Sequence, residues 1–376
     1  MRRRTSDTCA SSHCERLFDV FLRMTKDEVA FWRRSIRSEE EVEMDLFERM
    51  GAEGHEQVTF VSDRSTGLRG IVAIHSTRLG PSLGGVRARP YVSEEAALDD
   101  VLRLSRAMTY KAALAGLDQG GGKAVLIADR ADLNEGMMRS FGRAVHGLAG
   151  RYIASIDMNT SSREIDWMAL ETPHIAGRSV GAGGLGEPGP ATAWGVFHGL
   201  RAAVAFRFGS DELRGRLVAV QGLGSVGYAL ARHLAEAGAT LVVCDVDRAK
   251  EQRAVRELGA EAASVEAMWR MPCDVLAPCA TGGVIGGAVI GGLGCQVIAG
   301  AANNILVDEV ADGERLKARG ILFVPDYVIN AGGVIAMHCE AIGESMADAM
   351  RRSEGIGLTV TRVLRRAAEA DVSPVV

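Results

Sequence analysis

The sequence predicts an α/β protein of two domains: an N-terminal α/β domain followed by a Rossmann-type, doubly wound parallel sheet, with a cleft between them. Three observations lead there. Residues 217–227 read LVAVQGLGSVG, an apolar β-branched run that passes into glycines at G-x-G-x-x-G spacing. Five short apolar runs, at 218–221, 241–244, 275–278, 297–299 and 321–324, alternate with helical or glycine-rich segments, the rhythm of a parallel sheet wound on both faces. Finally, 376 residues at 47% hydrophobic exceed what one core usually holds.

The glycine turn carries the most chemistry. Gly222 permits a tight turn, Gly224 lets backbone N–H groups approach a pyrophosphate, and Gly227 brings the next helix against the strand. Ser225 and Val226 open that helix, Leu230 and Leu234 continue its apolar stripe, and Gly238 ends it. The strand at 241–244 then delivers Asp245 about twenty residues past the glycines, where a carboxylate accepts ribose hydroxyls. Taken alone the glycines describe no more than a turn; the ordered set of strand, glycines, helix, strand and acid describes a dinucleotide site. Asp245 would repel a 2′-phosphate, so NAD is expected rather than NADP, although Arg248 lies just beyond it.

Composition excludes other classes. A net charge of −5 argues against a nucleic-acid partner. The seven cysteines, Cys9, Cys14, Cys244, Cys273, Cys279, Cys295 and Cys339, show no framework spacing and suit the reducing cytoplasm as free thiols. Cys9, His13 and Cys14 fall short of a closed metal site, and no metal is expected. The uncharged stretch 275–307 is rich in glycine and interrupted by Pro278, which makes it a poor lipid-facing helix, and no secretory signal is evident after Arg2 to Arg4, where acidic and polar residues interrupt the run.

Residues 1–43 are expected to form a poorly ordered extension, with Leu17, Phe18, Phe21 and Leu22 at helical spacing; a docking arm and a misassigned start both remain open. The N-terminal domain is placed at 44–186, with the C-terminal segment 345–376 packing back on it, and the dinucleotide domain at 187–344. Residues 58–61 and 70–75 read as paired strands, and 79–85, LGPSLGG, as a glycine-bearing loop. Ser93 caps a helix whose stripe is Leu98, Val101, Leu102 and Met108, running into Tyr110 and Lys111. A glycine loop, GLDQGGGK, then leads to a strand at 124–127, and a further strand at 152–156 ends on Asp157. A helix from about 191 to 206, with Pro190 in its first turn, crosses into the second domain, where Asn303, Asn304 and Asn330 stand beyond the strand ends.

Lys111, Lys123 and Asp157 are the candidates for proton transfer. One ammonium near another in a cleft has its pKa depressed toward neutrality and becomes a usable base, while Asp157 supplies a carboxylate. Singly, each has an ordinary explanation as a solvated lysine or a turn cap.

The run MTYKAALAGLDQGGGKAV at 108–125 resembles the signature of the glutamate/leucine/phenylalanine/valine dehydrogenase family. The likeness continues through LGPSLGG, RYIASIDMNT at 151–160, PGPATAWGV at 188–196, VQGLGSVG, GAANNIL at 300–306 and PDYVINAGG at 325–333, and covers nearly everything but the extension. Length and loops are most similar to leucine and valine dehydrogenases. The resemblance implies NAD-dependent, reversible oxidative deamination of a branched-chain or other apolar L-amino acid, in a cytoplasmic homo-oligomer, dimer or higher. An aromatic substrate, or a non-catalytic NAD-binding relative, is the alternative. It implies that Lys111 binds the substrate carboxylate, Lys123 activates water, Asp157 shuttles protons, and Thr192 and Asn304 orient the nicotinamide. It also implies a side-chain pocket of Leu83, Gly84, Met108, Ser155, Val334 and Met337, without a cation for a second carboxylate. Met337 stands where valine is usual, which suggests a shallower pocket, and Ser155 where alanine is usual. Asn159 replaces a glycine of the leucine dehydrogenase pattern and Ala176 a threonine. The C-terminus is expected to be short of the family's last helix, which bears on assembly.

Overall fold

The computed structural model describes residues 46–376, and from Met50 onward these form one compact unit. The expected helix near Phe18, and the Cys9, His13 and Cys14 group, lie outside the described residues. After α1 (Leu46–Glu53) come β1 (Gln57–Asp63), β2 (Leu68–Ser76), β3 (Ser82–Arg89), α2 (Glu94–Leu114), β4 (Gly120–Ile127), α3 (Glu135–Gly147), β5 (Tyr152–Ile156) and α4 (Ser162–Ala169). The five strands make one mixed sheet in the order β1-β2-β4-β3-β5. The β1/β2 and β2/β4 pairs are antiparallel, whereas β3 runs parallel to both β4 and β5. Side chains of β2, β4 and β5 pack with Phe141, Met138 and Ile165 of α3 and α4 into a core of their own.

Two glycine runs expected as loops are strands, which corrects the sequence reading. LGPSLGG feeds directly into β3, and Gly120, Gly121 and Gly122 of GLDQGGGK lie inside β4. The reason is close approach of neighbouring backbone. A side chain on Gly84 would run into the carbonyl of Gly122, and one on Gly121 into the backbone of Thr109, because α2 lies directly on β4. Lys123 therefore projects from a strand, not from a loop.

The long helix α5 (Gly189–Phe208), with Pro190 in its first turn, leads to β6 (Leu217–Gln221), α6 (Ser225–Glu236), β7 (Thr240–Cys244), α7 (Arg248–Leu258), β8 (Glu261–Ala262), α8 (Val265–Arg270) and β9 (Cys273–Pro278). Then follow α9 (Gly287–Ile290), β10 (Cys295–Ile298), α10 (Glu309–Ala318), β11 (Leu322–Phe323), α11 (Asp326–Ile329), α12 (Gly332–Ile342), α13 (Met346–Glu354) and α14 (Ile356–Glu369). The second sheet is wholly parallel, in the order β11-β10-β9-β6-β7-β8, so the winding reverses beside β6. This is the doubly wound sheet that the five apolar runs predict, with the two-residue β8 added at its edge. In such sheets ligands bind beyond the strand carboxyl ends at the reversal point, which here is the turn after β6.

The two sheets are tied together by a shared apolar cluster that runs from Leu83 and Ala112 through α5 to α12 and α14. Buried His338 of α12 meets Gln119, just before β4, at 2.6 Å. The final helices pack on α5 and α12, and the hydroxyl of Thr359 reaches the carbonyl of Leu114 at the end of α2. No helix among the described residues is long and apolar enough to cross a membrane.

Candidate active site

Three adjacent elements converge on Asp157. β4 supplies Lys123, whose Nζ donates to Asp157 Oδ1 at 2.8 Å, and β3 supplies Arg87, whose Nε donates to Asp157 Oδ2 at 2.8 Å. Asp157 follows β5, and Gly85 of β3 makes room for it: a side chain there would stand 2.5 Å from Asp157 Cβ. Thr160 fixes the turn by accepting the Asp157 N–H at 3.0 Å and donating to the Val86 carbonyl. Between them, Asn159 adopts a left-handed φ of 64° and its amide donates to the Ala88 carbonyl. Asparagine is among the few residues that adopt this conformation readily, so the replacement of glycine leaves the turn intact.

Electrostatics follow from burial and pairing. Burial pushes the Asp157 carboxyl up, but Lys123 and Arg87 more than offset it and hold it well below the usual carboxylate range. Lys123 is 4% exposed, and burial, with Arg87 nearby, pushes its ammonium down against the pull of Asp157. Lys111, in the last turn of α2, is likewise lowered, to about 8, by burial, opposed by Asp326 and helped by Lys123. Lys123 thus acts electrostatically on Lys111. Lys111 Nζ donates to Asn330 Oδ1 at 2.7 Å and lies 3.4 Å from Asn303 Oδ1, which bridges α2 to the far sheet.

Of the expected pocket residues, Leu83, Val334 and Met337 are buried members of one large apolar cluster against which Met108 packs, and Ser155 is buried on β5, paired with Gly85. Gly84 contributes backbone only. Gly177, at a φ of 94°, has no side chain where one would stand 2.8 Å from Ile156 and 3.0 Å from Met337 Sδ, so a glycine next to Ala176 leaves Met337 room.

The turn after β6 fits a dinucleotide. Gly222 has φ 91°, a side chain on Gly227 would collide with the Gly222 carbonyl, and one on Gly224 would meet nothing. Gly224 and Ser225 are exposed, and no side chain caps the start of α6, so its first N–H groups remain available to phosphate oxygens. Asp245 stands at the end of β7, its carboxylate accepting the N–H groups of Leu223 and Asp247 at 2.6 and 2.8 Å. Each oxygen keeps a lone pair for a hydroxyl donor. The Thr192 hydroxyl donates to the Pro188 carbonyl at 2.9 Å and faces Gly333. Asn304 holds a left-handed φ of 51°, pinned by its N–H, which donates to buried Asp326.

Sequence reasoning missed Arg87, Asp100, Tyr91 and Asp326. The acidic residue Asp100 on the otherwise apolar face beside Leu98 and Val101 was the available signal, since an inward carboxylate needs a cation.

Residues 55–174 match the family described as "Glu/Leu/Phe/Val dehydrogenase, dimerisation domain", and residues 243–356 match "Glutamate/Leucine/Phenylalanine/Valine dehydrogenase". The chain is 47% identical over 322 residues to a leucine dehydrogenase of Bacillus subtilis (strain 168), covering 85% of this chain and 88% of that protein. The crystal structure of L-tryptophan dehydrogenase from Nostoc punctiforme superposes with a TM-score of 0.77 at 41% identity, covering 88% of this chain and 95% of that one. The hetero-hexameric glutamate dehydrogenase of Thermus thermophilus, in a leucine-bound form, gives a TM-score of 0.70 at 26% identity, with 85% of each chain covered. By these matches the chain belongs to the Glu/Leu/Phe/Val dehydrogenase family and is an NAD-dependent amino-acid dehydrogenase.

Proposed function

We propose that the protein catalyses the reversible, NAD-dependent oxidative deamination of a branched-chain L-amino acid to its 2-oxo acid and ammonia. The observation that carries this reading is the 2.8 Å contact between Lys123 in the middle of β4 and Asp157 just past β5, with Lys111 beside it and a mostly apolar pocket around Leu83 and Met337.

In this reading Lys111 takes the substrate carboxylate, and Asp157 takes a proton from the α-ammonium so that the free amine faces the cofactor. Gly222, Gly224, Ser225, Val226, Gly227 and Asp245 would hold NAD, with Thr192 and Asn304 orienting its nicotinamide, and when bound it would supply the acceptor for the hydride that leaves Cα. Lys123 then removes a proton from the water that adds to the imine, and its cation holds the developing oxygen. Asp157 returns its proton to nitrogen; Lys123, having released the water proton to solvent, takes the hydroxyl proton as the C–N bond breaks, the carbonyl forms and ammonia leaves. Lowering of the Lys123 pKa by burial favours the neutral amine this step needs.

Leu83, Met108, Val334 and Met337 offer apolar contact and no cation, which supports an aliphatic side chain over glutamate. A methylene in such a pocket is worth about 1–3 kcal/mol, so valine, leucine and isoleucine should overlap as substrates. An aromatic substrate is the second reading, favoured by the flexibility of Met337 and its opening toward Gly177. Incubation with NAD and a panel of L-amino acids at alkaline pH tests both: NADH formation fastest with valine, leucine or isoleucine supports the first reading, and fastest with phenylalanine or tryptophan the second.

We infer the same domain division as from sequence, 44–186 and 187–344, with 345–376 reaching back toward α2. A homo-oligomer is supported by the edge position of β1 in its sheet among the described residues, where Phe60 is 56% exposed. A cytoplasmic setting is supported by free cysteines at 244, 273, 279, 295 and 339.

A further inference from the structure

The steps above leave Arg87 without a task, although it is the most heavily engaged charge at the site. Its side chain is 12% exposed, and its guanidinium spans two carboxylates: Nε donates to Asp157 Oδ2 at 2.8 Å and Nη1 to Asp100 Oδ2 at 3.0 Å. Asp100 is fixed in turn. The Tyr91 hydroxyl donates to the same Oδ2 at 2.7 Å, and Arg103 Nη2 donates to Oδ1 at 2.9 Å. The chain Tyr91–Asp100–Arg87–Asp157–Lys123 thus runs from the surface end of β3, across the buried face of α2, to the reacting groups. A planar fork of donors is what this bridge requires; a lysine offers a point charge that serves one carboxylate at a time.

We propose that Arg87 is a positioning residue: gripped from behind by Asp100 and Tyr91, its guanidinium holds one oxygen of Asp157 and thereby turns the other toward Lys123 and the substrate nitrogen. The proposal rests on the reading of Asp157 as the proton carrier. It adds that the carboxylate does not orient itself, and that its orientation is set from α2.

The charged and titratable groups that act on the Asp157–Lys123 pair are Arg87 of β3, Tyr152 of β5, and Lys111 and Asp100 of α2, the last raising the Lys123 ammonium. Burial works against the ionised carboxyl, so loss of Arg87 leaves Lys123 as the one direct cation and moves the carboxyl to higher pKa. Lys123 moves the same way, because Arg87 is one of the charges that depress it. The form with Asp157 ionised and Lys123 neutral is therefore reached at higher pH.

The test is a pH–rate comparison of Arg87→Met, Arg87→Lys, Asp100→Asn and Asp157→Asn with the parent. In Arg87→Met, kcat should fall about 100-fold and the rise of kcat/KM with pH should move up by about one unit, with NADH affinity kept within about threefold. Arg87→Lys should restore the pH position and little of kcat. Asp100→Asn, which touches neither Asp157 nor Lys123 but removes a charge that raises the Lys123 ammonium, should lower kcat by about tenfold with no upward move of the profile. If Asp157→Asn is inactive while Arg87→Met turns over within about threefold of the parent on an unshifted profile, the proposal is wrong. Should Arg87→Met not fold, a parental kcat in Asp100→Asn contradicts it equally. Parental turnover in Asp157→Asn would instead overturn the reading beneath.

Discussion

Gly84 of β3 faces the carbonyl oxygen of Gly122 in β4 so closely that neither strand could keep its place if Gly84 carried a side chain. The next residue in β4 is Lys123 and the next in β3 makes room for Asp157, so this contact sets the spacing of the proposed catalytic pair.

Gly84→Ala should therefore cost about 1–3 kcal/mol of stability through overpacking and lower turnover further than stability explains. Thermal unfolding beside steady-state rates checks this. An alanine variant with parental melting and parental kcat would show that the strands can part without disturbing the site.

At the dinucleotide end, Gly227→Ala puts a methyl into the Gly222 carbonyl and must deform the turn. NADH affinity should fall by at least about tenfold while the unliganded fold persists, because the strain falls on the loop rather than on β6. Fluorescence titration with NADH gives the number, and unchanged affinity would dissociate this turn from the cofactor.

Lys111 carries a pH prediction of definite sign. Its ammonium is lowered to about 8, chiefly by burial, and the substrate carboxylate needs the charged form. Affinity is then full below pH 8 and lost as pH rises through it, with KM for a 2-oxo acid growing about tenfold per unit beyond. Using the 2-oxo acid in the reductive direction avoids the titration of the amino-acid nitrogen. A KM flat from pH 7 to 10 would contradict the assignment.

Met337 lies 3.0 Å from the position a side chain at Gly177 would take, so shortening Met337 opens the pocket on that side. Met337→Val should raise the kcat/KM ratio of leucine over valine by about 10-fold, the worth of a methylene in such a site. A ratio that does not move would place the side-chain pocket elsewhere.

The parts legible in the sequence were those with a local signature. Strand, glycines and helix at 217–236 report their own geometry, and Asp245 follows at a fixed remove. Ser93 as a helix cap is equally local, its hydroxyl accepting the Ala96 N–H at 3.0 Å. The glycines of β3 and β4 misled because their cause is tertiary: they are small for the sake of a neighbouring strand and of α2, which composition cannot distinguish from a loop. Arg87 was hidden for the same reason. Its partners lie 13 and 70 residues away, on another helix and past another strand, so nothing near it in the chain marks it.

The central claim is that Lys123 does chemistry rather than support structure, and Lys123→Ala measured with saturating branched-chain amino acid and NAD tests it most directly. Removal of a base acting in the transition state should reduce kcat by about 100-fold or more while NADH affinity, measured in parallel, stays near that of the parent. Turnover close to the parent's, with cofactor binding intact, would contradict the account.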